Sequence, residues 1–257
     1  MLDSERLQRE LIQASGRSLQ LHYFDSCEST NLECMNLQQD GSVVIAEQQT
    51  RGRGRRGRDW VSPALENIYC SLGVVKTMNP ESLGMLSIQT GVAIAEVLHA
   101  WQFNQVRLKW PNDILMMGRK LGGILIETRV LQPQEFYLVI GFGLNIRLQK
   151  EISDKIDQPA IALNEVADEP VDRFGLLKDV ISNLIQSIRA LDEERITPLT
   201  EQFNRLDPLQ GKEVRVKTRQ DEWSGVYRGI QPDGQIQVEI DSELQVFSAA
   251  DISLRSA

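Results

Sequence analysis

The spacing of apolar residues changes several times along this 257-residue chain, and each change marks an element. Leu7, Leu11 and Ile12 share one side of a helix over residues 4–14, with Ser4 as its N-cap. Residues 19–24 read as a strand. Residues 26–35 pass through Ser29-Thr30-Asn31 into a helix, and 42–47 (SVVIAE) form a short strand after an Asp40-Gly41 turn. A strand over 67–75 precedes a helix over 83–101 introduced by Pro80-Glu81-Ser82. Its apolar residues cover most of the circumference, which predicts burial on more than one side, with His99 as scaffold.

Four strands follow, over 106–110, 114–117, 121–130 and 136–146, with turns at 111–113, 118–119 and 132–134. Connections this short force antiparallel pairing, since a parallel pair needs a crossover of about a dozen residues. The expected fold class is therefore α+β, an antiparallel or mixed central sheet flanked by helices, and not a doubly wound one. The unbroken apolar runs at 123–126 and 137–140 predict central strands covered on both faces. Residues 150–170 read as a loop with a short helix near 160–167. Asp172 caps a long helix striped by Leu176, Leu177, Val180, Ile181, Leu184, Ile185, Ile188 and Leu191, and a further helical piece beyond Thr200 ends at Asp207-Pro208. From Gly211 the period becomes two, over 214–216, 223–230, 236–240 and 246–247, with a hairpin turn at Pro232-Asp233-Gly234. Two domains are expected: residues 1–208, and a small β-barrel-like unit over 209–257.

Composition narrows the function. With 28 Lys and Arg against 36 Asp and Glu, the net charge of −8 and a pI near 5.0 argue against a general binder of nucleic acid or membrane surfaces. Three cysteines, 27, 34 and 70, show no C-x-x-C spacing, which suggests neither a disulfide framework nor a structural zinc site. The N-terminus carries no signal pattern, and no window approaches the roughly 18 apolar residues of a membrane span. A cytoplasmic protein without a membrane partner is expected.

Positive charge is instead concentrated in Gln48–Trp60, QQTRGRGRRGRDW, where five arginines alternate with Gly52, Gly54 and Gly57. Glycine lets the backbone approach a ligand, and each guanidinium offers a planar fork of donors to carboxylate or phosphate. The glycines spell G-x-G-x-x-G, but no helix start follows Asp59-Trp60, so a dinucleotide fold is excluded. A phosphate loop also fails, because Arg58-Asp59 stands where Lys-Ser/Thr should. Further polar insertions sit at strand ends: Ser29-Thr30-Asn31, Lys109-Trp110-Pro111-Asn112-Asp113, Lys120 ahead of Leu121-Gly122-Gly123, and Gly141-Phe142-Gly143-Leu144-Asn145. Glycines within a central strand point to a close approach by a ligand or another chain segment.

QTRGRGRRGRDW, KWPNDI, GRKLGGILIE, GFGLNI, the upstream STN and the terminal DISLRS together resemble the biotin protein ligases, from about residue 20 to the end. The resemblance implies a catalytic domain related to class II aminoacyl-tRNA synthetases and an SH3-like C-terminal domain. It implies two steps: biotin and ATP give biotinyl-5′-AMP, and the biotinyl group passes to a lysine of an acceptor, the biotin carboxyl carrier protein of acetyl-CoA carboxylase, with Mg2+ assisting. A chain that reaches STN by residue 29 leaves no room for the N-terminal DNA-binding domain of some members.

By motif position, Ser29, Thr30, Asn31 and Gln49 are similar to residues that hold the ureido ring of biotin or line its pocket. Gly52, Arg53, Gly54 and Arg55 fall where the family binds carboxylate and phosphates, and Lys120 where it contacts the biotin carboxyl. Lys109, Asn112 and Asn145 match positions near the nucleotide phosphates and metal, Gly123 lies in the glycine motif, and Trp60 would close over adenine. Lys120 and Arg53 are expected to stabilise charge during adenylation, and Asp113 to orient Lys120 or the incoming amine; no metal ligand is assigned. Mutual repulsion predicts that the arginine loop is disordered without ligand. A lipoate or octanoyl ligase and a nucleic-acid-binding protein are the alternatives, and a homodimer is possible.

Overall fold

The computed structural model describes residues 2–16, 18–64, 67–149, 158–217, 221–248 and 253–256. Helix α1 (Ser4–Ser15) is capped by Asp3, whose carboxylate accepts the Arg6 N–H at 2.9 Å, so the cap lies one residue before the expected Ser4. Strand β1 (Gln20–Phe24) leads through helix α2 (Thr30–Leu37) into β2 (Ser42–Ala46). With a helix between them, β1 and β2 pair in parallel, while the remaining strands pair antiparallel. The sheet is thus mixed. It continues with β3 (Asn67–Thr77), β4 (Val106–Lys109), β5 (Asp113–Met116), β6 (Arg119–Gln132) and β7 (Glu135–Asn145), in the order β1-β2-β3-β7-β6-β5-β4. The turn between β5 and β6 is Met117-Gly118, both at positive φ, so Arg119 already belongs to the strand.

Strand alternation gives the sheet two unlike faces. Val43, Ile45, Cys70, Leu72, Ile140 and Phe142 join the main core, while Val44, Tyr137 and Val139 pack with Cys34 of α2 on the other side. Helix α3 (Met85–Ala100) follows a tight turn at Pro80–Gly84 and is buried nearly all round. The segment Pro80–Ala100 is long and apolar enough to pass a membrane-span test, contrary to the sequence expectation, but 61% of that window is buried inside the protein. It is a core helix. His99 Nε2 lies 3.3 Å from the Val106 carbonyl oxygen, a structural contact as expected.

Helix α4 (Arg173–Ala190) is capped by Asp172 and presents the predicted stripe. Helix α5 (Glu193–Leu206) begins earlier than expected, under an Asp192 cap, and accommodates Pro198. Near 160–167 only a single turn forms, Leu163–Glu165. The C-terminal unit is an antiparallel sheet of β8 (Glu213–Lys217), β9 (Glu222–Ile230), β10 (Ile236–Ile240), β11 (Glu243–Phe247) and β12 (Ser253–Ser256), ordered β11-β10-β9-β8-β12. The expected loop over 150–157 and Asp251-Ile252 of the DISLRS motif lie outside the described residues.

The two units meet beside the KWPND segment. The buried Trp110 Nε1–H donates to the Gly234 carbonyl at 3.0 Å, and a Cβ on Gly84 would stand 2.7 Å from the Asp233 carbonyl oxygen. Tyr227 of β9 donates its hydroxyl to Asp207 at 2.9 Å. Burial is the main cause of the Asp207 carboxyl being raised to about 6.

Candidate active site

β2 delivers the chain into the arginine loop, which folds back as a hairpin. Trp60 N–H donates to the Gly52 carbonyl at 2.8 Å, and Gly54 N–H to the Arg58 carbonyl at 2.7 Å. Arg56 and Gly57 turn the tip at φ 58° and 70°. A Cβ on Gly52 would stand 2.3 Å from the Trp60 carbonyl oxygen and 2.5 Å from Ser62 Oγ, so only glycine lets the two arms close. The loop is thus an ordered hairpin closed on itself.

One end of the site is a cluster of neutral polar groups on the α2 face of the sheet. Gln49 Oε1 accepts from Thr30 N–H at 2.8 Å and from Thr30 Oγ1 at 3.2 Å, and its Nε2 donates to Ser62 Oγ at 2.9 Å. Ser71 Oγ lies 2.8 Å from Thr30 Oγ1 and 2.7 Å from Asn31 Oδ1. Asn31 Nδ2 donates to Leu125 O at 3.1 Å and to Glu127 Oε2 at 2.9 Å. Thr30, Asn31 and Ser71 are buried, with Ser29 beside them, so these bonds compensate a desolvation of the three that would otherwise cost on the order of 1–3 kcal/mol per group. A Cβ on Gly141 would lie 1.8 Å from Asn31 Oδ1, which explains a glycine in that strand.

The other end is cationic, and a bulge makes it so. Asp113 and Ile114 of β5 pair with Gly123 and Gly122, but Leu115 pairs with Lys120, leaving Leu121 as an extra residue in β6. Along a regular strand Lys120 and Gly123, an odd number apart, would face opposite ways; the extra residue restores them to one side. Lys120 Nζ then meets Asp113 Oδ1 at 2.7 Å and lies 5.3 Å from the centroid of the Trp60 ring. That ring rests on the paired Gly123 and Gly143: a Cβ on Gly143 would stand 2.7 Å from Trp60 Nε1, and one on Gly123 3.1 Å from Trp60 Cζ3. The two glycines make room for an indole.

Arg53 Nη1 pairs with Glu127 Oε1 at 3.1 Å and links the cationic end to the polar cluster. The Arg55 guanidinium is held below its ordinary range by burial and then by Arg56, with Asp113 opposing. Arg53 and Lys120 therefore each have a carboxylate in reach, Glu127 and Asp113.

Other expected residues act at one remove. Asn112 Nδ2 donates to Ile124 O at 3.0 Å, and the buried Asn145 donates to Lys120 O at 3.4 Å and Ile161 O at 3.1 Å. Both hold the backbone that carries Lys120 and Gly123. Lys109 is the cross-strand partner of Asp113, and its charge is felt by Asp207 at the junction of the two units. Three participants were not singled out from sequence: Glu127, Ser71 and the 159–161 segment that pairs with the Lys120 backbone. Glu127 lay within the quoted GRKLGGILIE motif, and its even spacing from Gly123 was the available signal. The three cysteines are buried, and burial followed by Glu33 pushes Cys27 up to about 11, so that residue offers no thiolate nucleophile.

A model described as the Biotin/lipoate A/B protein ligase family matches residues 22–145, and one described as Biotin protein ligase C terminal domain matches residues 210–255. The Bifunctional ligase/repressor BirA of Salmonella typhimurium is 33% identical over 257 residues, which is 100% of this chain and 79% of that protein. The chain belongs to the biotin protein ligase family. Another similar member, the biotin--[acetyl-CoA-carboxylase] ligase of Mycobacterium tuberculosis, is 32% identical over 265 residues, covering 98% of this chain and 95% of that protein. The fold of this ligase also matches a biotin protein ligase from Aquifex aeolicus in complex with biotin and ATP, with a TM-score of 0.76 and 24% identity over 93% of this chain and 99% of that one. The C-terminal match sets the ligase apart from the lipoate reading, which is not favoured.

Proposed function

We propose that this ligase condenses biotin with ATP to biotinyl-5′-AMP and passes the biotinyl group to a lysine of a biotin carboxyl carrier protein of acetyl-CoA carboxylase. The observation that carries this reading is a site with Lys120 beside the Trp60 ring at one end and, at the other, a neutral polar cluster tied through Glu127 to Arg53. The polar cluster suits the uncharged ureido ring. The cations suit the two anions that must meet.

In the first step a carboxylate oxygen of biotin attacks the α-phosphorus, and the bond from that phosphorus to the pyrophosphate oxygen breaks. The carboxylate is already ionised, so the site needs charge stabilisation rather than a base. Lys120 and Arg53 supply it, with Arg55 behind them, and Asp113 keeps the Lys120 ammonium aimed at the reacting atoms. In the second step the acceptor amine attacks the acyl carbon, the bond to AMP oxygen breaks, and the amine proton leaves through the carboxylate side of the Asp113 pair. Trp60 and the folded hairpin exclude water from the mixed anhydride. Ser29, Thr30, Asn31 and Gln49 hold the ring end, Gly52, Gly54 and Gly123 allow the close approaches, and Lys109, Asn112 and Asn145 support the phosphate end.

Mg2+ is proposed as the companion of ATP. Among the described residues no group of three or more His, Cys, Asp or Glu side chains could cage a metal ion, so the ion would be carried by the phosphates, and no step is routed through it. We assign residues 1–208 to the catalytic domain and 209–257 to the C-terminal one, place the ligase in the cytoplasm without nucleic acid, and take a pairing of sheet edges as its route to a homodimer, which light scattering would read. Incubation with biotin, Mg-ATP and a carrier domain should add one biotinyl group to the carrier by intact mass. No mass gain, together with retention of RNA or DNA on a filter, would overturn the reading.

A further inference from the structure

Glu127 stands where the two ends of the site meet. It lies on the β6 face shared with Leu125 and Gly123, two and four residues away, and it is one-quarter exposed. Its two oxygens are divided between two neighbours: Oε2 accepts from Asn31 Nδ2 at 2.9 Å, and Oε1 meets Arg53 Nη1 at 3.1 Å. Asn31 is locked by three groups, Ser71, Leu125 O and Glu127, of which only Glu127 is charged. Arg53 is half exposed, and Glu127 is its one ion-pair partner among the described residues. Nη1 is thereby committed to Glu127, and the rest of the guanidinium fork is left for a ligand anion.

We propose that Glu127 is a positioning residue that fixes the arginine facing the ligand anion and the amide in the ring-end cluster together, so that occupation of one end is felt at the other. This deepens the ligase reading and rests on it. A partly exposed ion pair of this kind contributes little to stability, so its consequence is orientation rather than folding. The carboxylate keeps the guanidinium near the β6 surface, where it meets an incoming carboxylate or phosphate without first being drawn out of solvent.

Two substitutions separate the two ties. Glu127→Gln keeps an acceptor for Asn31 but loses the charge that holds Arg53, whereas Glu127→Ala loses both. Glu127→Gln should leave the melting temperature and the biotin Kd near wild type and slow single-turnover formation of biotinyl-AMP about tenfold. Glu127→Ala should slow it similarly and weaken biotin binding about tenfold as well. A double-mutant cycle gives the readout that a merely structural role would not move: Glu127→Gln added to Arg53→Ala should slow adenylation no further, because its effect passes through the arginine. Full additivity in that cycle, or a wild-type adenylation rate in Glu127→Gln, would overturn the proposal. If the wild-type protein forms no biotinyl-AMP, the ligase reading fails first; a working wild type with an additive cycle sinks only the role of Glu127.

Discussion

Replacing Gly141 by alanine tests the polar cluster with a single methyl group. The new Cβ would lie 1.8 Å from Asn31 Oδ1 and 2.8 Å from its Cγ, where real Cβ contacts essentially never fall below 3.0 Å. The amide must retreat by more than 1 Å, and the Asn31 bonds to Ser71, Leu125 O and Glu127 cannot all survive. Losing two of them at about 1 kcal/mol each, together with an overpacking term of about 1–3 kcal/mol, gives roughly 3–5 kcal/mol. For a chain of this size each kcal/mol shifts Tm by about 2–4 °C, so a fall of roughly 6–20 °C is expected in calorimetry. Biotin affinity, read by titration calorimetry at a temperature where both proteins are folded, should drop by about tenfold or more. Adding Asn31→Ala should restore much of the melting temperature and none of the affinity. A Gly141→Ala protein that melts within about 2 °C of wild type and binds biotin equally well would refute the packing account.

Lys120→Gln should lower the rate of pyrophosphate release by about a hundredfold while changing biotin affinity little, because the ammonium acts on developing charge; a rate within threefold of wild type would remove it from the chemistry. Asp207 gives a pH signature. Its carboxyl is raised from 3.8 to about 6, so between those values the folded state binds the proton that the unfolded state releases, and stability declines as pH rises from about 4 to 6. Asp207→Asn should flatten that decline, worth about 3 kcal/mol at most, in denaturant melts at pH 4.5 and 7; an unchanged difference between the two pH values would contradict it. Trypsin should cut between Arg51 and Arg58 readily in the ligand-free protein and slowly with biotin and ATP; equal cutting would dismiss loop ordering.

Where a pattern repeats within one element, the sequence was a good guide. The stripe on α4, the all-round burial of α3 and the period-two grammar after Gly211 each appear in the structure because burial of a face dictates them. Parallel pairing of β1 with β2 and the early start of α5 were less visible, since they depend on which segments come together in space. The cationic residues of the site were legible as types, whereas their partners were not. Glu127 reaches Arg53 across 74 residues of chain, and Asn31 crosses 96 to reach Glu127. The glycines of GFGLN suggested a close approach, yet only coordinates show that an indole and an amide are what approach.

The odd residue in β6 has a larger consequence than its size suggests. Were the bulge ironed out with Leu121 kept, the strand could still pair with both neighbours, but the ammonium of residue 120 would turn toward the oily side, and Leu121 would leave that side, opening a leucine-sized hole there. The groove would lose its cation and gain a leucine. A single slipped position thus separates a catalyst from a mere receptor.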